Sequence, residues 1–291
     1  MPDFTFLKNS ITGHWVISAP RRAGRPNELK GTEPKCPFCV GREKEEQELF
    51  RIGGEKGDES WKVRVVPNKY PFAPIHEVII HSPDHRKNFD ELPLSQTELV
   101  IQAYRQRFSV HREKGQVYIF QNHGEASGES LPHPHSQLAV IPNEVEIDTP
   151  PLAAEDPEKF QETPEFIIFC PQTSEWPDEV WIRPKARGRM FFEITDTQIE
   201  DFSKILHRII QIFDLRHGSN FPFNFYIYPG GDWYLRIMPR LKINGGFELG
   251  TGIAINTQDP NETIEFIKTH FESPDIERIK NEHKAQYRRS V

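Results

Sequence analysis

Two segments of this chain align without a gap at a spacing of 102 residues: EVIIHSPDHRKNFDELPLSQTELV from Glu77 and EVWIRPKARGRMFFEITDTQIEDF from Glu179. Such a repeat is one structural unit made twice, so the fold must join two like halves around a shared core. Each copy opens on a short apolar run that reads as a strand, passes through a basic turn and reaches a helix start. Ser95 with Glu98, and Thr197 with Glu200, each fit a capping box and predict helices over 96–110 and 198–213. Leu99, Ala103 and Phe108, then Ile199, Phe202, Leu206 and Ile210, fall largely along one side, the pattern of a helix packed on a sheet. QVYIFQN and SQLAVIP follow in the first half, FNFYIYP and WYLRIMP in the second. The order is strand, helix, strand, strand, twice, which predicts an α+β fold of two halves, each a mainly antiparallel sheet with a packed helix.

Between the copies runs IPNEVEIDTPPLAAEDPEKFQETP, acidic and proline-rich, which reads as a linker or long excursion. The expected organisation is an N-terminal half over 1–145, a linker over 146–164 and a degenerate second half over 165–291. At 291 residues the chain is long enough for each half to bury a core.

Composition closes off several function classes. No stretch approaches the roughly 18 consecutive apolar residues of a membrane span, so no membrane partner is expected. A net charge of -7 argues against nucleic-acid binding, which calls for a basic face. Any phosphate ligand must find local positive charge, and Arg21, Arg22 and Arg25 in APRRAGRP offer it, although solvated surface arginines explain such a cluster as well. Three cysteines are too few for a disulfide framework, and MPDFTFLKNS lacks the marks of a secretory signal, so a cytoplasmic protein is expected.

Two motifs carry chemistry. Cys36-Pro37-Phe38-Cys39 has the spacer that lets two thiolates reach one tetrahedral Zn²⁺, but two more ligands are needed. His76, His81, His85, His123 and His133 are all available, and a redox role is disfavoured because no βαβ pattern surrounds the pair. In HPHSQ, residues two apart on a strand share a face, so His133, His135 and Gln137 form a row. That row could hold a metal, decorate a surface, or present an imidazole nucleophile. Upstream, QNHGEASGES holds Asn122, Gly124, Ser127, Gly128 and Ser130, a loop able to turn backbone N–H groups toward an anion. An imidazole beside such a loop suits attack on phosphorus, which splits one substitution into two steps.

TGHWVISAPRRAGRP, CPFC, VVPNKYPF, SPDH, QNHGEASGESLPHPHSQ and the closing GGFELG occur in an order and spacing that resemble the galactose-1-phosphate uridylyltransferases, a branch of the histidine-triad superfamily built from two related halves. The resemblance runs nearly end to end. It implies a nucleotidyltransferase of carbohydrate, notably galactose, metabolism, which moves a nucleoside monophosphate from a nucleotide sugar to a sugar 1-phosphate through a covalent nucleotidyl-histidine. It implies that His135 is the nucleophile and that Cys36, Cys39, His85 and His133 hold one structural zinc. Gln137 would donate to a phosphate oxygen of the intermediate, where a histidine would suggest a triad hydrolase. By the same resemblance Asn122, Gly124 and Ser130 lie near the phosphates, Asn68 near the nucleotide, and Arg22 and Arg25 near the sugar's phosphate. A homodimer is compatible with it.

The chain also departs from that pattern. Some family members bind a second metal through histidines of the second half, but here DWYLRIMP places Arg236 and Met238 at the ligand positions, so no second metal is expected. In the repeat Asp232 falls opposite His135, which predicts a catalytically silent second half. GGFELGTG keeps Gly246, Phe247 and Glu248 for sugar contact but lacks the downstream glutamine used on hexose. It is more similar to the ADP-glucose phosphorylases, which hand the nucleotide to inorganic phosphate and supply the alternative reading. A third is a zinc-stabilised nucleotide-binding protein without activity.

Overall fold

The computed structural model describes residues 4–24, 36–218 and 221–272. Among these residues twelve strands alternate with four α-helices. They are β1 (Thr5–Lys8), β2 (Trp15–Ser18), β3 (Phe50–Ile52), β4 (Val63–Pro67), β5 (Ile75–Ile80), α1 (Leu94–His111), β6 (Gln116–His123) and β7 (His135–Ile141), then β8 (Gln161–Glu162), β9 (Phe166–Phe169), β10 (Val180–Pro184), α2 (Asp196–His217), β11 (Phe223–Ile227), β12 (Leu235–Pro239), α3 (Gly246–Thr251) and α4 (Pro260–His270). β1 and β2 form a separate hairpin, and the other ten strands make one sheet in the order β3-β4-β5-β7-β6-β11-β12-β10-β9-β8. Every pairing in it is antiparallel. The two halves, β5-α1-β6-β7 and β10-α2-β11-β12, meet where β6 pairs with β11.

Cross-strand partners give the symmetry of the molecule. Val78 pairs with Gln137, Gln137 with Phe120, Phe120 with Tyr226, Tyr226 with Arg236, and Arg236 with Trp181. The row reads the same outward from its Phe120–Tyr226 centre, so Arg236 stands where Gln137 does. Two residues before Arg236, on the same face, Tyr234 corresponds to His135. The comparison of the halves in sequence places Asp232 there instead.

The 102-residue spacing holds in the helices: Thr97 and Ile199, Val100 and Phe202, Tyr104 and Leu206, Phe108 and Ile210 are buried pair by pair. It fails in the strands that precede them. Glu77 points to the helix layer, where Arg107 and His111 bind it. Glu179 points to the other face and binds Trp181 and Arg236. One residue of register turns every side chain of a strand to its opposite face, so the glutamates aligned by sequence are not structural equivalents.

The helices also start earlier than the capping boxes predict. Thr195 caps α2, its Oγ1 accepting from Gln198 N–H while Gln198 Oε1 accepts from Thr195 N–H. A Gln at the third helical position thus completes the box two residues ahead of Thr197. α1 starts directly after Pro93, with no side-chain cap. Proline fixes its own φ and has no N–H to satisfy, so Leu94 opens the helix and Ser95 and Glu98 lie inside it.

α1 and α2 cover one face of the sheet, and the main core lies between, with Val65, Ile79, Ile119, Leu138, Phe223, Phe225 and Ile237 from the strands against Tyr104, Phe108, Phe202, Leu206 and Phe213 from the helices. The opposite face carries two smaller clusters. Phe38, Trp61, Val66, Val78 and Ile80 gather in the first half, Phe169, Trp181, Tyr226 and Tyr234 in the second. The acidic, proline-rich segment lies over that second cluster, with Leu152 and Phe160 packed against it, Tyr234 Oη donating to Pro150 carbonyl and Asp156 paired with Arg183. Its end, Gln161–Glu162, adds the edge strand β8.

Phe225 is wholly buried beside the junction of the halves. Phe225→Ala is expected to cost about 3–5 kcal/mol, whereas Phe247→Ala, on the exposed α3, should stay within about 0.5 kcal/mol. Urea unfolding of the two variants checks this, and equal effects would reject the assigned core.

Candidate active site and metal centre

Three segments distant in sequence converge at one end of the first half. Cys36 and Cys39 lie in a tight turn, His85 follows the end of β5, and His133 directly precedes β7. Their donor atoms all lie within 4.8 Å of one another, and among the described residues they form the one such group of three or more. Cys39 Sγ is 3.2 Å from His85 Nδ1 and 3.8 Å from His133 Nδ1, and Cys36 Sγ is 3.7 Å from His133 Nδ1. Sulfur and nitrogen donors on one tetrahedral ion stand about 3.5 Å apart, given bonds of about 2.3 and 2.0 Å. The residues therefore fit a metal ion. His133 Nε2–H donates to the Ser82 carbonyl at 2.9 Å, which leaves Nδ1 with its lone pair toward the sulfurs. Burial pushes His133 down to about 4, so it is a neutral ligand at ordinary pH.

His135 heads β7, paired with Ile80. Its Nδ1–H donates to the His133 carbonyl at 2.9 Å, so the lone pair sits on Nε2. The ring packs on Phe38, whose centroid is 5.5 Å away and which also meets the His133 ring at 6.0 Å. One aromatic side chain from between the two cysteines thus touches both histidines. His135 lines a cavity of about 200 Å³ together with Phe38, Asn68, Tyr70, Ser130 and Gln137.

Gln137 is next on the same face of the strand. Its Oε1 lies 2.9 Å from His76 Nε2 and 3.2 Å from Asn68 Nδ2. Asn122, near the end of the neighbouring strand β6, accepts at Oδ1 from Asn224 Nδ2 at 2.8 Å, and the same Asn224 amide donates to Ser127 carbonyl at 3.0 Å. The second half therefore supports the first half's site through a residue on β11.

Four backbone amides of the loop after β6 are taken up within the loop itself. Gly124 N–H donates to Glu129 Oε2 at 2.7 Å, Ser127 N–H and Glu129 N–H to Gly124 carbonyl, and Gly128 N–H to Glu125 carbonyl. Gly124 holds φ at 83°, and a Cβ there would stand 2.9 Å from Pro222 Cβ, so glycine is required for the chain to pass. Gly124 shapes the loop, and Ser130 is the residue of this stretch that reaches the cavity.

Arg22 lies against the 68–76 turn, donating to Tyr70 carbonyl with its guanidinium 4.9 Å from the Phe72 ring. Arg25 lies outside the described residues. Phe247 and Glu248 are not brought to the His135 cavity within the chain. They lie on exposed α3, with Glu248 accepting from Gly245 N–H at 3.1 Å. Two residues of the site are missed by the sequence reading, in which His76 stands only among the possible metal ligands and Asn224 is not named. His76 is on β5 with Val78 and Ile80 at alternate positions, a period-2 signal that puts it on the face of His135. Asn224 carries no local signal.

In the second half the matching positions are differently used. Arg236 is held by Glu179 at 2.7 and 2.9 Å and by Glu175 at 3.2 Å, and Tyr234 stacks on Trp181 with centroids 4.3 Å apart. Neither position offers a nucleophilic imidazole. Asp232 pairs with Arg187 at 2.9 Å.

Known proteins share this architecture. Residues 74–140 match the model of the galactose-1-phosphate uridyl transferase N-terminal domain. ADP-glucose phosphorylase of Arabidopsis thaliana is 29% identical, over 90% of this chain and 91% of its own. The galactose-1-phosphate uridylyltransferase of Thermotoga maritima is 28% identical, over 74% and 77%. The crystal structure of the Arabidopsis phosphorylase with bound ADP-glucose superimposes with a TM-score of 0.70, at 26% identity, over 91% of this chain and 98% of that one.

The chain is similar to the galactose-1-phosphate uridylyltransferase and ADP-glucose phosphorylase family. It is an enzyme of the nucleotidyltransferase type, with the two-halved α+β fold of that family. Among the described residues no helix is long and apolar enough to cross a membrane.

Two outcomes follow from this geometry. Metal analysis of freshly purified protein should find about one ion per chain, and Cys36→Ser should lose it together with several kcal/mol of stability. Folded wild-type protein without metal would refute the centre. Burial also pushes the Glu129 carboxyl up to about 7, against the lowering effect of the Gly124 hydrogen bond. A carboxyl raised on folding gives stability that is fullest below its unfolded pKa of about 4.3 and is lost as pH rises through the folded value. The melting temperature of Glu129→Gln relative to wild type should therefore increase from pH 5 to pH 8, and a flat or falling difference would contradict it.

Proposed function

We propose that this enzyme carries a nucleoside monophosphate from a nucleotide sugar to a phosphate acceptor through a covalent intermediate on His135 Nε2. The observation that carries the reading is the hydrogen bond from His135 Nδ1–H to the His133 carbonyl, which fixes the tautomer with Nε2 unprotonated beside the cavity. Nε2 attacks the α-phosphorus, the P–N bond forms, the P–O bond to the β-phosphate breaks, and sugar 1-phosphate leaves with the bond's electron pair. The proton on Nδ1 stays in place, held by the carbonyl as the ring becomes cationic. An acceptor phosphate oxygen then attacks the same phosphorus and the P–N bond breaks. Gln137, Asn122 and Ser130 serve the phosphates, Asn68 the nucleotide, and Arg22 with Arg25 the sugar's phosphate. Phe247 and Glu248 would meet the sugar.

In this reading the metal is zinc, held by Cys36, Cys39, His85 and His133. Four protein donors leave no coordination position for substrate, so its contribution is structural. Reduced thiols at the site suit a cytoplasmic setting, and the exposed apolar side chains Leu241, Ile243, Phe247, Leu249, Ile253 and Ile255 suit a homodimer.

The acceptor separates two versions of the reaction. With sugar 1-phosphate as acceptor the enzyme is of the hexose-1-phosphate uridylyltransferase type. With inorganic phosphate it is a nucleotide-sugar phosphorylase, a version favoured by the similarity to ADP-glucose phosphorylase over 90% of the chain and by the GGFELG tail. Incubation with UDP-glucose or ADP-glucose labelled at the α-phosphate should leave acid-labile label on His135, discharged by galactose 1-phosphate or by phosphate. His135→Ala should lose turnover by at least about 10³-fold. No label from either donor would reject the reading and leave a zinc-stabilised nucleotide-binding protein.

A further inference from the structure

We propose that His76 is a positioning residue, fixing which end of the Gln137 amide faces the α-phosphate. The two ends of a glutamine amide are nearly isosteric, but one donates and the other accepts. Only the donating end helps a phosphoryl oxygen. In the cavity wall the choice is made by two backbone N–H groups, whose identity as donors is not in question.

The first is Phe72 N–H, which donates to His76 Nδ1 at 3.4 Å. A nitrogen that accepts has no proton, so in the neutral ring the proton is on Nε2. That N–H points at Gln137, 2.9 Å away, and the atom it meets must be the carbonyl oxygen Oε1. The second is Tyr70 N–H, which donates to Asn68 Oδ1 at 2.9 Å. Asn68 therefore turns its own NH₂ toward Gln137, and at 3.2 Å that group also requires an acceptor. Both routes start in the same turn, pass through different side chains and end on the same oxygen. The Gln137 NH₂ is left facing the cavity beside His135. His76 Nε2 and Asn68 Nδ2 lie 3.3 Å apart because both aim at one acceptor.

His76 is suited to hold such a choice. It is 5% exposed, its ring lies 4.1 Å from that of Phe72, and the His76 backbone carbonyl accepts from Asn68 N–H at 2.8 Å. Gln137 is comparably buried, so no water competes freely for Oε1. Without His76 the amide keeps only the longer bond to Asn68, and the flipped form, which would present Oε1 to the anionic phosphate, becomes populated.

The inference rests on the proposed chemistry for its consequence, but its geometry can be tested apart from activity. Nitrogen NMR of imidazole-labelled protein, with His76→Phe to assign the signal, should show His76 as the Nε2–H tautomer. The Nδ1–H tautomer would overturn the proposal whether or not the protein is active. The functional test is a double-mutant cycle on single-turnover labelling of His135. His76→Phe keeps the ring contact with Phe72 and should slow labelling about 10–100-fold with little change in donor KM. In a Gln137→Ala background the same change should alter the rate less than about 2-fold, because His76 has nothing left to orient. His76→Gln, which retains a donor, should recover part of the loss. Equal effects of His76→Phe with and without Gln137 would show that His76 acts elsewhere. Absence of label in wild type would instead remove the catalytic reading and leave the tautomer to decide the orientation.

Discussion

The direct pairing of β6 with β11 is the contact on which the rest of the molecule depends. Because Phe120 faces Tyr226 across it, the two halves share one sheet and one helix layer, with no interface of separate bodies between them. The shared sheet lets a core of β-branched and aromatic side chains extend across both units. It also brings Asn224 beside Asn122, so the second half braces the strand next to that of His135. An unpaired β6 would present a long edge of open backbone groups, a hazard that the second copy removes.

On the opposite face of that sheet, the candidate metal centre and the proposed nucleophile meet at two residues of one strand entry, His133 and His135. His133 serves the donor group with Nδ1 and the Ser82 carbonyl with Nε2, while its own carbonyl fixes the tautomer of His135. One backbone oxygen thus links the candidate metal centre to the tautomer of the neighbouring imidazole. In the proposed reaction, fixing the start of β7 in this way orders the His135 ring before any substrate arrives, which reduces the entropy lost at the moment of reaction.

Much of this was legible in the sequence because it is periodic or local. The helices followed from their apolar faces, the strand order from alternating runs, and the C-x-x-C and H-x-H pairs from spacing that chemistry imposes on ligands and strands. What was hidden depended on contacts across the sheet. Pro93 and the Thr195–Gln198 box moved both helix starts because local competitors for a cap cannot be ranked by pattern alone. Gly124 looked like part of an anion loop, and only folding revealed that Glu129 takes its amide. Asn224 has no neighbour in sequence that marks it, and Asn68 and His76 acquire their joint role only when a turn folds back onto β7.

The mismatch of Glu77 and Glu179 has a consequence for the history of the chain. Once the strand leading into each helix had settled with opposite faces inward, the two copies stopped being interchangeable parts. Exchanging those strands by their aligned letters would send Val78 and Ile80 away from the site and drive Trp181 and Arg183 into the helix layer. The duplication is thereby locked: recombination between the halves breaks the protein, and each copy is free to diverge only in place.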